Sequence, residues 1–302
     1  MSDVGICTLL CGGFVGTIFL WRKERTFALL CMKDIEKAWE CGPEHLDRND
    51  PSTFRRRLIS FVGSTAVSWL VLEYLLFKEA RDKTSVGPSA VIHFLFCQEG
   101  NVLRALHVTV STALATLALF SGALLEKGIA LFQQDADEIF LRDNVICPTG
   151  EEIFFRALLL QILLQRRSVT SSIVISSVLF AISHTHHIFP SVAWEYRYIM
   201  GNNELQPGKQ LVCWRRAAKK LPGLYLCTFA CGLLTGYCYV VVGKRNLPST
   251  IVTHALCNFI GPPTFDFLQE KTWLKRLVYG GAYCGGIAGW YIITSTVARR
   301  ST

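Results

Sequence analysis

The sequence predicts an all-α, polytopic membrane protein: a helical bundle of about eight transmembrane helices. Three observations predict it. Apolar residues make up 51% of the 302-residue chain and mean hydropathy is +0.33. Charged residues fall to 18%, below the roughly 25% of soluble domains. The apolar residues gather in runs close to the ~20 residues a bilayer-crossing helix needs, and most lysines and arginines lie between the runs. Residues 1–302 are expected to form a single integral membrane domain with a motif-bearing core at about 140–262.

The runs cover roughly 4–21, 58–77, 105–125, 150–165, 168–184, 222–242, 248–261 and 277–295. Only Asp3 precedes the first, and Arg22, Lys23 and Arg25 follow it. That order is the reverse of a cleaved signal peptide and suits an uncleaved first span with its N-terminus outside. Segment 28–39 sets Leu29, Leu30, Met32, Ile35 and Trp39 among Lys33, Glu36 and Lys37, the pattern of an interfacial amphipathic helix. Residues 40–54 are expected to form a polar loop. The stretch 185–221 is the longest expected connection; its Trp194, Tyr196, Tyr198 and Trp214 beside Arg215, Arg216, Lys219 and Lys220 suit a headgroup layer. Gly232 and Gly236 form a small-xxx-small pair, and Gly280, Gly281, Gly285, Gly286 and Gly289 stud the last run, residues that allow close helix approach in lipid. No internal repeat or low-complexity tract appears.

The net charge of +8 does not indicate nucleic acid, because the positive charge falls in loops without a basic-aromatic motif. It carries topology instead. Loops after the odd-numbered spans hold 20 basic residues and the other side holds 10, which puts the odd loops in the cytosol and both termini outside. Most of the twelve cysteines, Cys7, Cys11, Cys227, Cys231, Cys238 and Cys284 among them, lie in or beside apolar runs. There Cys behaves as a small hydrophobe, and no zinc-type spacing accompanies them.

Polar groups interrupt the apolar runs at three places. Glu151, Glu152 and Arg156 open one, His184 ends another, and His254 with Asn258 lies inside a third. A charge at mid-bilayer costs about 2.5–3.5 kcal/mol on the lowest scales, so such groups face a protein interior or a wet cavity. The charge-derived topology carries all three toward the cytosolic face. Glu152 and Arg156 are i,i+4 on a helix, as are His254 and Asn258. Pro148 suits a helix start, which places the acidic pair in a first turn, at the positive end of the helix. A carboxylate near a histidine can act as general base for water, and a His with an Asn amide can donate to a developing oxyanion. The plainer alternative for Glu152–Arg156 is a buried ion pair fixing helix register. His186 and His187 suit a solvated or substrate-lining role, Cys257 suits packing, and Glu73 is placed to pair with a basic residue such as Lys78.

These residues carry a family resemblance. The stretch Phe140 to Arg156, with Arg142, Pro148, Glu151 and Glu152, resembles the EExxxR region of the type II CAAX prenyl endopeptidases, the Ras-converting enzymes. Phe180 to His184 matches that family's FxxxH motif, and His254 to Asn258 its HxxxN motif. The lead-in and the His186–His187 pair look like the eukaryotic branch. The resemblance implies a glutamate-dependent intramembrane endopeptidase of the endoplasmic reticulum membrane, multi-pass, with a site open to cytosol and bilayer. It would remove the last three residues of prenylated CaaX proteins, small GTPases as a class. Glu151 and His184 would activate the attacking water, His254 and Asn258 would form the oxyanion hole, and Glu152 and Arg156 would support them. No cofactor is implied. Gly150 stands where the family commonly has Thr or Ser.

Other membrane-protease signatures are absent: there is no HExxH, no GxSG and no GxGD pair. Two alternatives stay open: a zinc-dependent membrane protease, since a Glu and two His could bind zinc, and a non-catalytic scaffold or transporter using the same polar cavity. A transporter would more readily show repeated halves.

Overall fold

A computed structural model of the protein describes residues 2–40, 50–80, 102–133, 137–201 and 209–300. The described residues are helical, with no strand among them. Numbered along the chain, the helices are α1 (Asp3–Gly16), α2 (Arg22–Lys33), α3 (Ile35–Glu40), α4 (Pro51–Ala80), α5 (Val102–Leu119), α6 (Ser121–Lys127), α7 (a continuous run, 138–164), α8 (Val169–Ser183), α9 (Ile188–Gly201), α10 (Lys209–Tyr237), α11 (Leu247–Ile260) and α12 (Trp273–Arg300). Every apolar run of the sequence falls in one of them. Four stretches, Asp3–Leu20, Val102–Leu119, Val169–Met200 and Lys209–Val242, are long and apolar enough to cross a bilayer, and Leu247–Ile260 is a shorter apolar helix. This is an all-α membrane protein. Its chain divides into two compact units, residues 1–73 with 177–230 and residues 74–176 with 231–302.

In the first unit the amphipathic segment is two helices. Asp34 breaks it, and its Oδ1 accepts from the Lys37 backbone N–H at 3.2 Å to start α3. Asp50 does the same for α4, accepting from Thr53 N at 2.9 Å. The helix therefore begins at Pro51, inside the expected 40–54 loop; Pro suits that position because its missing N–H would be unsatisfied there anyway. Residues 185–221, expected as a connection, also contain helix. Val192, Tyr196 and Ile199 recur at helical spacing in α9 and close a core with Cys31, Ile35 and Ala38 of α2 and α3 and with Cys213 and Ala217 of α10. Trp214 Nε1 donates to the Cys31 carbonyl at 3.0 Å. Trp194 and Tyr198 stay exposed on the opposite side of α9, with the Arg197 guanidinium over the Trp194 ring at 5.3 Å. Glu73 accepts from Trp69 Nε1 at 2.7 Å; the Lys78 side chain lies outside the described residues.

In the second unit α11 and α12 both pack along α5, and α11 also packs against the 142–152 part of α7. Asn246 starts α11 by accepting from Ser249 N at 3.2 Å and ties it to α5 by donating to the Ala105 carbonyl at 2.8 Å. Of the glycines in α12, Gly286 is at closest approach: a Cβ there would lie 2.2 Å from the Ala118 carbonyl oxygen of α5, whereas one at Gly281 or Gly285 would meet nothing within 4 Å.

Candidate functional site

The site in the second unit is built on α7. Asp137 starts this helix by accepting from Phe140 N at 2.8 Å, more than three turns before the acidic pair. Pro148 therefore does not begin a helix, and Glu151 and Glu152 are not in a first turn. The first-turn dipole argument and the capping role considered for Gly150 both fall away. The chain passes through Pro148 because residues Arg142–Ile146 are wound as π-helix, with the Cys147 N–H bonded to the Arg142 carbonyl, five residues back. The hydrogen-bond register has already shifted where proline's donor would be needed. A second π-wound stretch, Ile153–Leu160, follows the acidic pair and contains Arg156. Such windings often mark functional positions.

Four of the expected residues meet around one imidazole. His254 Nδ1 lies 2.8 Å from Glu152 Oε1, and its Nε2 lies 3.7 Å from Glu151 Oε2. An ionised carboxylate only accepts, so Nδ1 carries the proton given to Glu152 and Nε2 faces Glu151. The other oxygen of Glu152 pairs with Arg156 Nε at 3.2 Å. Glu152 is fully buried and Arg156 is 1% exposed, while Glu151 keeps a quarter of its side chain, 25%, accessible. The acidic pair is thus divided by burial: one carboxylate is locked among partners and the other is open to water.

Arg156 is held by groups that its motif does not announce. It donates through Nη2 to the Thr235 hydroxyl and to the Gly232 carbonyl at 3.4 Å. A threonine inside an apolar run was the available signal. The Cys231 thiol hydrogen-bonds to Cys257 and to His254, so Cys257 packs beside the imidazole. Asn258 is exposed, one turn beyond His254. Its amide Nδ2 donates to the Asp143 backbone carbonyl at 2.9 Å, which joins α11 to the first π-wound turn of α7. Among the described residues no three His, Cys, Asp or Glu side chains are grouped as a metal site.

His184 belongs to the first unit, at the end of α8. Its Nδ1 lies 2.8 Å from the Phe180 carbonyl, so Nδ1 carries the proton and Nε2 keeps its lone pair. The Phe180 ring meets it edge-on at 4.7 Å between centroids. His186 is oriented in the same way, Nδ1 to the Ser183 carbonyl at 2.7 Å, and its ring lies 4.2 Å from that of His187.

Residues 138–260 match the family described as type II CAAX prenyl endopeptidase, Rce1-like. The chain is similar to CAAX prenyl protease 2 of Homo sapiens, 23% identical over 300 residues that cover 93% of this chain and 77% of the human one. It is also similar to CAAX prenyl protease 2 of Rattus norvegicus, 25% identical over 201 residues, 60% of this chain and 56% of the rat one. No solved structure matches it.

Proposed function

We propose that this chain, a member of the type II CAAX prenyl endopeptidase, Rce1-like family, cleaves prenylated CaaX proteins in the endoplasmic reticulum membrane and releases their last three residues. The observation that carries the reading is the line Glu152–His254–Glu151, with contacts of 2.8 and 3.7 Å. A buried carboxylate orients an imidazole whose far nitrogen faces a second, water-accessible carboxylate, as in other sites where a carboxylate fixes a histidine's tautomer.

In this mechanism Glu151 takes a proton from water as the oxygen attacks the scissile carbonyl. His184 is assigned to the same proton traffic on its motif and on its own geometry, since Nδ1–H bonded to Phe180 leaves Nε2 as acceptor. The electron pair of the C=O bond moves to oxygen. His254, doubly protonated and balanced by Glu152, donates Nε2–H to that oxyanion. Asn258 holds the Asp143 carbonyl with one amide N–H and gives the second to the same oxygen. Collapse breaks the C–N bond, and the proton held on Glu151 goes to the leaving amine. A prenylated cysteine is membrane-tethered, so a site open to both cytosol and bilayer suits the substrate.

The test is incubation of purified protein with a farnesylated CaaX peptide, with tripeptide release followed by mass spectrometry, with and without a strong chelator. Release in both conditions is expected. No release overturns the proteolytic reading in favour of a binding role, and release that the chelator abolishes replaces it with metal-assisted hydrolysis.

A further inference from the structure

An endopeptidase that removes three residues must measure three residues. The substrate feature available for measuring is the free carboxylate at its end. The structure holds a cation at the matching distance. Lys127, the last residue of α6, reaches across to the carbonyl end of α11 and donates to the Ile260 and Pro262 carbonyl oxygens, the latter at 3.3 Å. Gly261, at φ +71, turns the chain there, and a Cβ on it would lie 3.1 Å from Lys127 Nζ. An ammonium has three donors, and these two carbonyls use two of them. Among the described residues no carboxylate lies within ion-pair distance of Lys127. The neighbouring Glu126 is occupied by the Tyr283 hydroxyl and by the Phe267 N–H at 2.9 Å.

The spacing agrees with the reaction. From His254 to Ile260 is six residues of α11, about 9 Å along the axis. Three extended residues span about 10 Å. A scissile carbonyl at His254 and Asn258 therefore sets the peptide's terminal carboxylate beside Lys127. By the charge-derived topology this is the cytosolic end of α11, where an ionised carboxylate avoids the cost of the bilayer interior.

We propose that Lys127, presented at the carbonyl end of α11, binds the C-terminal carboxylate of the substrate and so fixes cleavage three residues from the end. The inference rests on the proteolytic reading above. The experiment compares a farnesylated CaaX peptide acid with the same peptide as C-terminal amide, on the wild type, Lys127→Met and Lys127→Arg, with the melting temperature of each preparation recorded. A charge-assisted hydrogen bond predicts that the wild type prefers the acid about 10- to 100-fold in kcat/KM, chiefly through KM. Lys127→Met should lose that preference by slowing cleavage of the acid and sparing the amide, and Lys127→Arg should keep it. Equal turnover of acid and amide by the wild type overturns the inference while leaving proteolysis intact. So does a Lys127→Met variant that slows both peptides alike, which would make Lys127 a helix cap only. If Lys127→Met does not fold, the acid-to-amide ratio of the wild type and of Lys127→Arg still decides. No turnover of either peptide overturns proteolysis itself, and this inference with it.

Discussion

His254 and Glu152 are joined at 2.8 Å in a site where Glu152 has no exposed surface. Glu152 therefore has two duties, orienting an imidazole and neutralising Arg156, whereas Glu151 keeps access to water. The two adjacent carboxylates should fail in different ways when altered.

Glu151→Gln should reduce turnover at least 10²-fold, the lower end of what a positioned general base supplies, with a melting temperature close to wild type because the side chain is partly exposed and makes no buried ion pair. His184→Ala should likewise lose turnover while its level in membranes stays near normal. Steady-state kinetics on purified variants checks both, and near-wild-type turnover in either removes that residue from the water-activating pair.

Arg156→Ala should instead fail as a fold. Removing one partner of a buried ion pair leaves an uncompensated charge and costs about 3–5 kcal/mol. The expected result is low yield and a much lowered melting temperature in detergent. Glu152→Gln combined with Arg156→Met should recover part of the stability without recovering activity, because His254 loses its orienting carboxylate. A double variant no more stable than Arg156→Ala would show that the charge is not the cause.

Asn258→Ala should lower kcat by about 10²–10³, the cost of one preorganised oxyanion donor, with a smaller change in KM. Asn258→Asp should be as poor or worse, since a carboxylate repels the developing charge. Asn258 is exposed and ties down only the Asp143 carbonyl, so its melting temperature should move little. Unchanged kcat with lowered stability would sink the oxyanion assignment.

Cys31 sits in α2, fully buried, and burial pushes its thiol up to about 12. The thiolate is the reactive form, so at pH 8 the folded protein should leave Cys31 unalkylated by a maleimide, with modification rising only as the pH nears 12 or the protein unfolds. Peptide mapping of native against denatured samples reads this directly; rapid native labelling would contradict the burial.

Gly286→Ala should destabilise the protein by about 1–3 kcal/mol through overpacking, because the new methyl meets the Ala118 carbonyl. Gly281→Ala, in the same helix and facing open space, should be neutral or slightly stabilising by helix propensity. Thermal unfolding of the two variants side by side is the measurement.

Much of this was legible before any coordinates. Apolar runs mark the helices because lipid and protein interior make the same demand on side chains. The i,i+4 spacing put Glu152 with Arg156 on one face, and they do pair. What escaped depends on contacts distant in sequence. Thr235 and Gly232 receive Arg156 from 79 and 76 residues away, and the Asp143 carbonyl receives Asn258 from 115. The helical content of 185–221 was hidden because its apolar positions, Val192, Tyr196 and Ile199, share the segment with exposed Trp194 and Tyr198. Pro148 misled for a different reason: proline signals a start only when the winding before it is α, and here it is π.

That winding also changes what a length change means in this chain. A π turn holds one residue more than an α turn. Removing a residue between 153 and 160 could let the stretch relax into ordinary α-helix instead of opening a gap. The cost would appear elsewhere: each residue of α-helix carries about 100° of rotation and 1.5 Å of rise, so the segment bearing Glu151 and Glu152 would be turned and shifted against everything after it. Here a deletion acts as a rotation, and two chains with the same motif letters can aim them in different directions.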